Sequence, residues 1–336
     1  MRRLIVLIAS VVVSGFFLWL ALRDVPQEEI ITNLQQADLG WVLLGIGTIA
    51  LGLWTRAIRW RGLVGFKVST LQAFYMFNIT MILNQLPLRA GEVARSLLVT
   101  RSGVPLMTAA TSIIVERLLD TLLVVIWLSL ALTQAPSAQP EVVRLAALFG
   151  LAAVVAFGVL IFFARKRDVA HNFLGFFERL LPFIKKLNLG RLLDNVLDGI
   201  QPLVHWRSAA HAIGWTLISW VISLATFYCL LMAIGVQDNV LLLAVLAITL
   251  ASFSIAIPVS VASLGPYEGA VRLAGDIVGI SQGLSTAGGF LLHGVNILMY
   301  AIFGTIGMIA MGVSLGDVLK AAGSKDEPQP ETAPSA

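Results

Sequence analysis

The chain has 336 residues, is 58% hydrophobic and is only 12% charged. A soluble domain carries about twice that share of charge, so composition excludes one and points to an all-α, polytopic membrane helix bundle of about six to eight spans. The net charge of +4 is small and sits in particular loops, which is a topology signal and no sign of a nucleic-acid partner. The single cysteine, Cys229, excludes an internal disulfide. No Cys/His cluster is present, so no metal is expected, and no cofactor.

Arg2 and Arg3 precede an apolar run from Leu4 to Leu22. It exceeds the ~7–15-residue core of a signal peptide, and no small-x-small cleavage site follows. It is therefore read as a first span with a cytoplasmic N-terminus; a cleaved signal peptide is the competing reading. An acidic loop leads to a second span, Leu39–Ala57, ending in Arg56, Arg59, Arg61 and Lys67. The positive-inside rule places that cluster in the cytoplasm.

Leu71–Leu88 is apolar but holds Gln72, Asn78, Asn84 and Gln85. The segment NQLPLRAGEVARSLL then breaks the run at Pro87 and Gly91 and carries Arg89, Glu92, Arg95 and Arg101. The next span, Met107–Leu132, holds Glu116, Arg117 and Asp120 two to three turns deep. The loop 133–141 has no Lys or Arg and is expected outside. Val142–Ala164 crosses back and stops at Arg165, Lys166 and Arg167. Residues 70–106 thus leave from and return to the cytoplasmic side, as a re-entrant hairpin turning near Pro87–Gly91 would. The alternative leaves Arg89–Arg101 in an external loop.

From Asp168 to Arg207, apolar residues including Phe173, Phe176, Leu180 and Ile184 recur at three-and-four spacing beside Lys185, Lys186 and Arg191. This is an amphipathic segment, broken near Pro182 and Gly190, lying on the cytoplasmic surface or packed as a linker on the bundle. Ala209–Ile234 crosses outward to a turn at Asp238 and Asn239. A second broken region, Val240–Gly283, contains Pro258, Gly265, Pro266 and Glu268, and a last span covers Leu284–Val313. The expected layout is one transmembrane domain, 1–316, with halves 4–164 and 209–314 around the segment 168–207. The polar tail 317–336 is expected to be disordered.

The two broken regions overlay. Glu92 and Arg117 are 25 positions apart, and so are Glu268 and His293. Val104 then falls on Ile280, each after a Gly, and Asp120 falls on Asn296. By the charge rule one region enters from the cytoplasm and the other from outside. That is an inverted repeat, a layout of many alternating-access transporters; chance alignment of apolar sequence is the competing account. At ~1.5 Å per residue, Arg117/Asp120 and His293/Asn296 each lie ~15 Å into their spans, near the middle of a ~30 Å hydrocarbon layer.

Charges in such spans cost ~2.5–3.5 kcal/mol each on insertion scales and face protein or water. Arginine's planar donor fork suits phosphate, so Arg89, Arg95 and Arg117 are candidate headgroup contacts, with Asn84, His293 and Asn296 beside them. Glu92, Glu116, Asp120 and Glu268 are candidates for coupling or for structure. Glu92 and Glu268 sit where a carboxylate caps a half-helix, and Arg117 and Asp120, three apart, can pair on one helix face. Pro87, Gly91, Pro258, Gly265 and Pro266 mark the breaks.

The run NQLPLRAGEVARSLL with GVPLMTAATSIIVERLLD resembles the signature of the lysylphosphatidylglycerol synthase transmembrane-region family, the flippase-like membrane proteins. The matching positions are Asn84, Pro87, Arg89, Gly91, Glu92, Arg95, Glu116, Arg117 and Asp120. IPVSVASLGPYEGA is similar to the second family motif at Pro258, Gly265 and Glu268. It departs at Val261–Ala262–Ser263, where relatives often have a Gly-rich turn. The resemblance implies an inner-membrane protein of a prokaryote, with cytoplasmic termini, that moves a phospholipid or other anionic lipid-linked molecule between leaflets. It argues against synthase activity, because no aminoacyl-transfer domain follows. There is no P-loop and no DxD pair near a loop, so no enzyme activity is expected. The other readings are an accessory subunit with membrane partner proteins, in a lipid or polysaccharide pathway, and a membrane-embedded transferase.

Overall fold

In a computed structural model of the chain, residues 2–86, 90–135, 140–180, 189–255, 261–314 and 316 are described. They form an all-α bundle: 13 helices and no strand among the described residues. In chain order these are α1 (Arg2–Leu22), α2 (Gln27–Gln35), α3 (Leu39–Leu63), α4 (Thr70–Leu83), α5 (Ala90–Thr100), α6 (Leu106–Gln134) and α7 (Pro140–Arg165). There follow α8 (Arg167–Leu180), α9 (Leu189–Ile200), α10 (Trp206–Ala233), α11 (Val240–Ile255), α12 (Pro266–Val278) and α13 (Gln282–Met311). By length and composition, α3, α7, α10 and α13 each suffice to cross a membrane.

Polar residues at the helix starts explain several boundaries. The Asp38 side chain accepts from the N–H groups of Gly40 and Trp41 and starts α3. Ser69 and Gln72 cap each other's N–H groups at the start of α4. Such caps satisfy donors that would otherwise stay unpaired. Gly103 and Gly279 both take left-handed φ, +77° and +86°. Each closes a short helix before a long one, at the two places the overlay matches.

The packing follows the same correspondence. The series α3–α4–α5–α6 and α10–α11–α12–α13 have matching order and similar lengths. α3 packs on its counterpart α10; α4 packs on α13 as α11 does on α6; α5 and α12 each fold onto the following helix. α3 and α10 run antiparallel: Thr48 bonds Thr226, Thr55 bonds Ser219 and Arg59 bonds Thr216. Counterpart helices related by an axis in the membrane plane run in opposite directions, as these do. The core holds side chains of α3, α4, α10, α11 and α13, with Leu53, Trp60, Leu230 and Leu246 fully buried.

The amphipathic region forms two helices, α8 and α9. α9 buries Leu197 and Ile200 against α6 and α7. α8 is tied to it by the ion pairs Arg167–Asp198 and His171–Asp194. Lys185, Lys186 and Pro182 lie outside the described residues, as do Pro87, Arg89, Pro258 and the tail 317–336.

Candidate functional site

Both breaks open onto one internal cavity of about 430 Å³. Its walls come from α3, α4, α6, α10, α11 and α13, with Arg95 from α5 and Tyr267 from α12. Gln85 and Leu86 from the first break and Ala262 and Ser263 from the second also line it. The breaks touch there: the Ala262 N–H donates to the Gln85 carbonyl at 3.0 Å.

Gly91 is a close-approach position. A Cβ there would run into the Thr80 carbonyl and the Asn84 side chain, so α5 folds tightly back on the end of α4. Gly265 is both close-packed and left-handed. Its φ is +90°, and a Cβ would strike the α1 backbone at Phe17 and Leu18. Pro266 follows at the first helical position of α12, where the missing N–H costs nothing. Ala262 and Ser263 take φ of +51° and +59°. The Gly-poor departure at Val261–Ala262–Ser263 therefore sits in backbone that glycine prefers, at about 1–2 kcal/mol per non-glycine residue.

Among the described residues, four arginines line the cavity: Arg56, Arg59, Arg95 and Arg117. Arg59 and Arg95 are each 2% exposed. Arg59 grips Asp120 through two bonds, Nη1 to Oδ1 at 2.6 Å and Nη2 to Oδ2 at 3.1 Å. It also donates to Glu116 at 3.3 Å. Arg95 donates to the other Glu116 oxygen at 2.6 Å and lies over the rings of Trp60 and Phe77. The Trp220 indole N–H donates to Asp120 at 3.0 Å. Glu116 thus bridges two buried arginines, which gives a desolvated charge cluster the geometry it needs. Arg59 Nε and Arg95 Nε and Nη1 remain without a hydrogen-bond partner.

Arg117 is half exposed and pairs with Glu92 across α5 and α6. In the second half, His293 Nδ1 lies 2.7 Å from Glu268 Oε1, and Tyr267 stacks on the imidazole at 4.4 Å. The other Glu268 oxygen accepts from the Gly265 N–H at 2.7 Å. The two pairs placed 25 positions apart in the overlay are therefore both in contact. Glu268 serves as a cap as well. Glu92 bonds Arg117; the residue before α5, Arg89, lies outside the described residues.

Asn84, Arg95, Arg117, His293 and Asn296 all reach the cavity, as do Glu116 and Asp120. Two expectations need correction. Arg117 and Asp120 do not pair along one helix face; Glu92 and Arg59 take them, because neighbouring helices present opposite charges to each. The second span does not end at Ala57: α3 continues to Leu63, six residues further, and Arg56 and Arg59 both line the cavity. Among the described residues no group of three or more His, Cys, Asp or Glu could hold a metal.

The profile described as Lysylphosphatidylglycerol synthase TM region matches residues 7–304. The chain belongs to this family. No curated protein and no solved structure matches the chain. The match to this lysylphosphatidylglycerol synthase transmembrane region covers both breaks and every described residue of the charged cluster. It is an integral membrane protein of a family associated with membrane lipids.

Proposed function

We propose that this protein is a translocase that carries a phospholipid or another anionic lipid-linked molecule between leaflets. It does so without ATP hydrolysis or covalent chemistry, in a prokaryotic cytoplasmic membrane with both termini inside. The observation that carries the reading is the cavity itself. Arg56, Arg59, Arg95 and Arg117 line it beside the residues that flank the two helix breaks, in a bundle whose outer face is apolar. A phosphate needs such donors at depth, while acyl chains need only lipid. Broken helices at the interface of two inverted halves are where transporters of this architecture hold their substrates, and two re-entrant hairpins of opposite entry would expose the cavity to each side in turn.

The test is leaflet exchange of headgroup-labelled anionic phospholipid in proteoliposomes, for wild type and Arg117→Ala, with a proton gradient on and off. The expected outcome is wild-type exchange above empty vesicles, reduced about tenfold or more in Arg117→Ala. No exchange by well-folded wild type across several anionic headgroups would favour the accessory-subunit reading instead.

A further inference from the structure

Arg56 differs from the other cavity arginines. Arg59, Arg95 and Arg117 each contact a carboxylate. Arg56 has no carboxylate partner among the ion pairs of the described residues; its Nη2 donates to the Ser223 hydroxyl of α10 at 2.7 Å. The Ser223 hydroxyl in turn donates a hydrogen bond to the Ser219 carbonyl at 2.7 Å. The guanidinium lies back along α3 over Gly52, 3.9 Å from where a Cβ there would sit. It points toward the middle of the helix and away from the polar end at Arg61 and Lys67. An arginine whose only role was to mark the membrane surface would reach the other way.

We infer that Arg56 is the residue that receives the substrate's phosphate. This rests on the translocase reading and names the group within the cavity that makes the first ionic contact. Arg59 and Arg95 are committed to holding α3, α5 and α6 together, and Arg117, though half exposed, already faces the Glu92 carboxylate. Arg56 is held by a neutral hydroxyl, which an incoming phosphate oxygen can replace without leaving a buried carboxylate alone.

The experiment reads binding apart from transport. Purified protein in neutral detergent is titrated with dihexanoyl phosphatidylglycerol, with inorganic phosphate, or with an uncharged short-chain diacylglycerol, and thermal unfolding is followed. Wild type should gain Tm with the phosphatidylglycerol and not with the diacylglycerol. Arg56→Gln should need about tenfold or more ligand for the same gain. Arg56→Lys should recover part of it, since charge remains but the fork is lost. Equal stabilisation by inorganic phosphate, lost in Arg56→Gln, would keep Arg56 as the anion contact and assign the ligand to a soluble phosphate. Undiminished stabilisation of Arg56→Gln would overturn the inference, whatever the translocation assay shows. Should Arg56→Gln fail to run as a single species on gel filtration, Arg56→Lys and Ser223→Ala take its place. Arg56→Lys binding more weakly than wild type while Ser223→Ala binds more tightly supports the exchange of the hydroxyl for phosphate; wild-type affinity in both overturns it.

Discussion

At the scale of single residues, the charged cluster separates into a structural part and an accessible part. Glu116 is 3% exposed and accepts from two buried arginines. Removing it leaves both partly uncompensated, which in buried pairs costs about 3–5 kcal/mol. Glu116→Ala is therefore expected to lose folded yield and to lower the unfolding temperature in detergent by many degrees. Arg117, 48% exposed at its side chain, should tolerate Ala with little loss of folded protein. A fall in lipid exchange without a matching fall in yield is the signature that separates it from Glu116. Equal losses in yield and exchange for Arg117→Ala would put it with the structural group.

At the scale of elements, the second break is held by backbone that few residues can adopt. Gly265→Ala combines a left-handed φ with a collision against the α1 backbone. A destabilisation of at least ~1–3 kcal/mol is expected. Ala262→Gly should act in the other direction, relieving an αL residue at a cost in chain entropy. Its Tm should match or exceed that of wild type. Thermal unfolding of the two variants side by side checks the signs, and a stable Gly265→Ala would mean that α1 moves aside easily. The hairpins α5–α6 and α12–α13 share one side-chain pair at matching positions, Glu92–Arg117 and Glu268–His293. One pair is ionic and half exposed, and the other is a closed His–Glu contact. The same frame therefore presents a guanidinium to the cavity from one half and an imidazole from the other.

At the scale of the whole molecule, antiparallel counterparts imply opposite sidedness of matching loops. Ser102, before the α5–α6 turn, and Ser281, at the start of α13, occupy matching loop regions. In a Cys229→Ser background, single cysteines at the two positions should react with a membrane-impermeant maleimide from opposite sides of intact cells. Reaction from the same side would remove the inverted arrangement. Cys229 is buried, so its replacement should leave the labelling background low.

Much of this was already legible in residue order. Hydrophobic run lengths determined a helical membrane protein, because only a helix satisfies its own backbone within lipid. Proline, glycine and charge placed the breaks, because they are costly anywhere else in a span. The equal spacing of Glu92 to Arg117 and of Glu268 to His293 marked the correspondence of the two regions, and the structure adds that both pairs are in contact. What sequence order could not determine was partner choice between helices distant in the chain. Asp120 could have bonded Arg117, three residues away; α3 brings Arg59 from 61 positions upstream and holds both of its oxygens. Arg56 and Arg59 counted with Arg61 and Lys67 as one basic cluster because local charge density is the same for a loop and for a buried helix face. Only the packing of α3 on α10 decides which, by surrounding those guanidinium groups with Ser223, Thr216 and carboxylates in place of water.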